Sequence, residues 1–92
     1  MKYMTDAQIA NVAPVLRSAG IDCETVHKLM RGNENSQVKI EDPEIVQFLM
    51  KQRREGNEIT LVCNDKDLAG HCKVQGLPVL FVPDLVLAAI RD

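Results

Sequence analysis

The stretch from Glu58 to Asp67, read as E-I-T-L-V-C-N-D-K-D, constrains the fold of this chain more than any other. Ile59 to Cys63 is a short, uncharged run of β-formers. A run this short, apolar on both faces, reads as a strand buried inside a parallel sheet and covered above and below. It halts at Asn64, and the carboxylates Asp65 and Asp67 follow. In open α/β sheets, ligands bind in the crevice beyond the carboxyl ends of the strands. Asp65 is also a good N-cap for the helix-like segment after it. The stretch therefore has a plain reading, strand then cap then helix, and a sharper one, half of a divalent-metal site. Taken by itself it favours the plain one.

The rest of the chain supplies matching pieces. Lys2 to Thr5 is a strand candidate ending at Asp6, with Ala7 to Ala10 as a connection. Asn11 is placed to cap a helix reaching about Ala19, with Pro14 in its first turn and Val12, Val15, Leu16 and Ala19 on one side. Gly20 ends it, and Ile21 to Val26 is a second strand with Ile21 and Cys23 inward. His27 to Arg31 reads as a short helical turn, and Gly32 to Lys39 as a polar loop. Asp42 is expected to cap a helix with Pro43 at its first position, amphipathic through Ile45, Val46, Phe48 and Leu49 to about Glu55. The central strand follows, then a helix from about Asp65 to Val74, a buried strand Val79 to Val82, and a final helix from Asp84 to Ile90. Strands alternating with helices predict a small, mostly parallel sheet with right-handed crossovers and helices on both faces, an α/β fold of the three-layer α/β/α sandwich kind. Ninety-two residues without linker or repeat make one domain, residues 1–92.

Composition narrows the function. There is no Trp, with one Tyr and two Phe, so the core must be aliphatic. A net charge of −2 gives no electrostatic reason to expect nucleic acid unless a metal or a local basic patch supplies the positive field. No run approaches the ~20 apolar residues of a membrane span. An acid at position 6 precedes any apolar stretch, so the first residues are not expected to act as a secretory signal. Cys23, Cys63 and Cys72 have no paired spacing, which points to reduced thiols and a cytoplasmic protein.

Asp6, Asp42, Asp65 and Asp67 all stand at strand ends or helix starts. In a parallel sheet the carboxyl ends of all strands point the same way, so these acids can meet if their strands are neighbours. Clustered carboxylates repel and raise one another's pKa. A hard divalent cation, Mg²⁺ or Mn²⁺, removes that cost, and can polarise a phosphoryl oxygen and activate water. Asp6, Asp42 and Asp65 are then expected to converge closely enough to share one hydrated ion. Capping alone accounts for Asp42 and Asp65, but less easily for Asp6. His27 and His71 have no partner at metal spacing, Cys63 reads as a core thiol, and Arg31, Lys51, Arg53 and Arg54 as a solvated face. No nucleotide-cradling glycine motif is present.

Asp6 after a first strand, Arg31-Gly32 before a loop, Asp42-Pro43-Glu44-Ile45 opening a helix, L-V-C-N-D-K-D-L at 61 to 68 and G-L-P-V at 76 to 79 together resemble the short PIN-like proteins. These are relatives of the PIN-domain ribonucleases that include VapC-type toxins, and the resemblance runs from about Lys2 to Pro83. It implies a PIN-like three-layer fold, and metal-dependent hydrolysis of an RNA phosphodiester. By position, Asp6, Asp42 and Asp65 would be ligands for Mg²⁺ or Mn²⁺, and Asp67 a further catalytic acid acting through water. It also implies an antitoxin protein as a possible partner. Two departures stand out: Asp6-Ala7 where the short group often has Asp-Glu, and a polar loop in place of a helix that carries a further acid, for which Glu41 or Glu44 is the candidate substitute. The competing expectation is a degenerate PIN-like module that binds protein or RNA without cutting. A receiver-type domain phosphorylated on Asp65 lacks a strand-end Lys and paired acids after its first strand. A chain this short buries only about 60–65% of its unfolded surface, and the many-sided apolar character of its last helix predicts a homodimer.

Overall fold

The computed structural model describes residues 1–83 together with Val86, Leu87 and Ala89. Its centre is the strand Ile59–Cys63, buried at every residue. In chain order the elements are β1 (Lys2–Thr5), a 3-10 turn (Ala7–Ile9), α1 (Val12–Ser18), β2 (Cys23–Thr25), α2 (Val26–Arg31), α3 (Asp42–Arg54), β3 (Ile59–Cys63), α4 (Lys66–Val74) and β4 (Val79–Phe81). The four strands form one sheet in the order β2-β1-β3-β4, every pair parallel.

Alternation along the strands explains the layering. Met4, Leu61 and Cys63 face one side and pack with Val26, Ile45, Leu49, Leu68 and Cys72 from α2, α3 and α4. Val62 faces the other side and packs with Ile9, Val12 and Leu87, joined at the margin by Tyr3 and Leu16. Side chains at successive strand positions point to opposite faces, so both faces of β3 are apolar because both are covered. The chain is thus an α/β fold with helices on both faces of a parallel sheet, a three-layer arrangement.

Several expected boundaries move. The second strand covers only Cys23–Thr25, and Ile21 is 37% exposed rather than inward. The reason is local: Gly20 adopts φ +83°, and the Ile21 N–H closes the end of α1 by donating to the Leu16 carbonyl at 3.0 Å. Ile21 therefore belongs to the helix cap. Glu41 rather than Asp42 occupies the N-cap position of α3, which makes Asp42 its first helical residue. The last strand is an edge strand, not a buried one, and Leu80 is 50% exposed. The predicted final helix falls largely outside the described residues, including Asp84, Leu85, Ala88 and Ile90, and the expected homodimer face falls there with it. Among the described residues no helix is long and apolar enough to cross a membrane.

The strand order places the functional end. From β1 the chain passes through α1 to β2 on one side; from β3 it passes through α4 to β4 on the other. The β1–β3 boundary is thus the point where the winding reverses, and the crevice above the carboxyl ends of those strands is where such sheets take their ligands.

Candidate active site

Asp6 is the first residue beyond β1, tied to the end of β3 by its N–H, which donates to the Val62 carbonyl at 2.9 Å. Its side chain is not idle. Asp6 Oδ1 accepts from the Ala7 N–H at 2.8 Å and caps the 3-10 turn, a structural role the sequence did not lead us to expect. Asp65, two residues beyond β3, caps α4: its Oδ1 accepts from the N–H groups of Asp67 at 2.9 Å and Leu68 at 3.2 Å. Capping engages Oδ1 of each carboxylate. Asp42 has no such account, because Glu41 holds the cap position of its helix.

Asp6, Asp42 and Asp65 line a single cleft of about 530 Å³, together with His27, Lys39 and Glu41. The grouping is visible in their charges. Asp6, only 7% exposed, has its carboxyl pushed above its ordinary value by burial, with the charges of Asp42 and Asp65 adding to the rise and the Ala7 hydrogen bond and His27 opposing it. Burial also raises Asp42, followed by the charge of Asp65 and then Glu41, with His71 opposing. Both α3 and α4 begin at this cleft, and the positive ends of their dipoles partly offset the crowding of negative charge.

The end of the segment that follows α2, residues 39–41, completes the lining of the cleft. Gly32, at φ +75°, terminates α2, and its N–H donates to the Lys28 carbonyl. Two side chains of α2 then hold the loop. His27 Nε2–H donates to the Val38 carbonyl at 3.1 Å. Arg31 Nη2 donates to both carboxylate oxygens of Glu44, at 3.1 and 2.8 Å, and to the Lys39 carbonyl at 3.5 Å. Glu44, whose carboxyl is held below its ordinary value chiefly by the Arg31 hydrogen bond, is thus engaged in a pair with Arg31. Glu41 does line the cleft, paired to Lys39 at 3.5 Å.

No protein-family model, curated protein or solved structure matches this chain. Its chemistry must be read from the cleft itself.

Three of the four acids singled out in the sequence meet there. The fourth, Asp67, is exposed at the second position of α4 and lines a separate recess with Lys66 and His71. The arginines divide differently from the expected solvated face: Arg31 anchors the loop, and Arg53 Nη1 donates to the Gln75 and Gly76 carbonyls at 3.3 and 3.1 Å, closing the end of α4. The thiols are unsuited to nucleophilic work. All three are buried, burial raises each, and Cys72 is pushed up to about 11. Two further residues line the cleft: His27, set aside in the sequence for want of a partner at metal spacing, and Lys39, read there only as the end of a polar loop. The available signal was position: His27 lies two residues beyond β2, at the same end of the sheet as Asp6 and Asp65.

Hard carboxylate oxygens are the donor type that Mg²⁺ and Mn²⁺ take. Among the described residues, no three His, Cys, Asp or Glu side chains form a group that could hold a metal ion as they stand. The donor chemistry suits such an ion, while the carboxylates line a cleft rather than a preassembled cage.

Proposed function

We propose that this chain is a PIN-like, metal-dependent ribonuclease whose active site is the cleft of Asp6, Asp42 and Asp65. The observation that carries the reading is the meeting of these carboxylates, one of them buried, beyond the adjacent strand ends where the winding of the sheet reverses. A buried acid crowded by two others costs stability, and a structural role alone does not require Asp42 to be acidic. Asp6, Asp42 and Asp65 would hold Mg²⁺ or Mn²⁺, which supplies a polarised phosphoryl oxygen and an activated water. The chain's own contribution is positional. Two helix caps fix the Asp6 and Asp65 side chains, and the α3 and α4 N-termini favour an anionic phosphodiester. The pinned loop sets Lys39 in the cleft lining beside His27 of α2, and the Lys39 ammonium would meet the RNA backbone there. Asp67, outside the cleft lining, would act only through water. An inhibitory antitoxin partner belongs to the same proposal.

The non-catalytic alternative, a module that binds RNA or protein, draws on the absence of a ready metal group among the described residues. Cleavage of a mixed RNA pool in Mn²⁺ by wild type and Asp65→Asn decides between them. Cleavage by the wild type alone supports the nuclease. Cleavage by neither, with RNA retained, supports the module.

A further inference from the structure

A second concavity, of about 310 Å³, lies between α3 and α4, and Asp42 lines both it and the acid cleft. Pro43, Val46 and Met50 give it apolar walls, and three polar side chains stand at its edge: the amides of Gln47 and Gln75 and the imidazole of His71. Val46 and Met50 are half-buried against the core, so these walls are fixed by packing; Gln47, His71 and Gln75 are exposed.

We infer that this groove is a subsite for one unpaired nucleobase, adenine by preference, of the strand whose phosphate enters the acid cleft. The inference rests on the ribonuclease reading and names what that site would select. Its volume sits at the small end of ligand pockets, the size of a flat fragment rather than a helix or an acyl chain. Unpaired bases are gripped between apolar side chains or imidazoles and read at their edges by hydrogen bonds. A glutamine amide offers one donor and one acceptor side by side, the pattern that pairs bidentately with adenine N6 and N7. The carboxylate of Asp42 at the mouth discourages an anionic occupant. Because Asp42 belongs to both concavities, a base in the groove and its adjoining phosphate at the acids require no chain movement between the two.

The test is fluorescence anisotropy of labelled hexaadenylates in Ca²⁺, each carrying one abasic position in turn, on wild type, Gln47→Ala and Gln75→Ala. Both glutamines are exposed on or at the end of a helix, and alanine is a good helix former, so the variants should fold. One abasic position should weaken wild-type binding by about tenfold, the scale of one bidentate base contact, and at least one glutamine variant should erase that difference. Equal binding of all abasic oligonucleotides, or variants that still distinguish adenine from the abasic site, would overturn the subsite. In that case Mn²⁺-dependent cleavage lost in Asp65→Asn would leave the nuclease reading standing. No binding of any oligonucleotide by the wild type would overturn the subsite, and no cleavage besides would remove the nuclease reading with it.

Discussion

Asp65 occupies a position where helix capping and metal ligation make opposite demands on one side chain. Asparagine keeps the acceptor that the Asp67 and Leu68 N–H groups need, and it removes a charge that raises both Asp6 and Asp42. Asp65→Asn should therefore abolish cleavage while the metal-free protein keeps its stability or gains some. Asp65→Ala loses the cap, at a cost of about 1 kcal/mol, partly offset by the relieved repulsion. Urea midpoints of both variants, set beside Mn²⁺-dependent cleavage, check this; a destabilised Asp65→Asn with full activity would mean that Asp65 only caps. Asp6 gives a pH-dependent counterpart. Its folded pKa lies above its unfolded one, so between the two the native state holds more protons, and stability falls as pH rises through them. The cost is absent below the ordinary carboxylate value and complete above the folded one. Asp6→Asn should thus be more stable than wild type at about pH 7 and lose that advantage by about pH 3. A stability difference that stays constant across this range would show that the burial of Asp6 is not what destabilises.

At the level of elements, the segment from α2 to α3 supplies part of the cleft lining through Lys39, Ile40 and Glu41. Ile40 packs against the core at the α3 end of the loop, but Val38 is 57% exposed, and the position of residues 38 and 39 depends on His27 and Arg31. Arg31→Met should leave the sheet intact and release the loop. Amide hydrogen exchange across residues 36–41 should quicken while α4 keeps its protection; unchanged exchange would mean that the Arg31–Glu44 pair does not hold the loop. The same segment marks the limit of what could be read from the chain. β3 and α4 were legible because an apolar run of period-independent burial ends in a capping acid, and α3 because Pro43 and Glu44 announce its start. The failures came from helix caps and from non-local contacts. Whether Val79–Phe81 is central or at an edge depends on strand order, and nothing in V-L-F specifies it. Ile21 looks like a strand residue until the cap of α1 claims its N–H. His27 enters the cleft only because β2 lies beside β1, and Arg31 is structural only because Glu44 comes back to meet it.

The molecule as a whole assembles three carboxylates at one end of its sheet and recovers part of the cost through two helix caps and two helix N-termini. What remains unoffset appears in the raised Asp6 and Asp42. A divalent cation that binds the folded state should recover it, and the gain must then register as stability. By mass action, Mn²⁺ at ten times its dissociation constant contributes about 1.4 kcal/mol. For a domain of this size that is a rise in Tm of roughly 6–11 °C. The rise should shrink toward about pH 4, where protons compete for the same oxygens. It should also fall away in Asp42→Asn, a substitution that leaves both carboxylate caps in place. Calorimetric scans with and without millimolar Mn²⁺ at two pH values test all three statements together. A flat Tm at neutral pH would detach the acids from metal chemistry and leave the binding module ahead. A rise that survives Asp42→Asn undiminished would place the ion elsewhere on the chain.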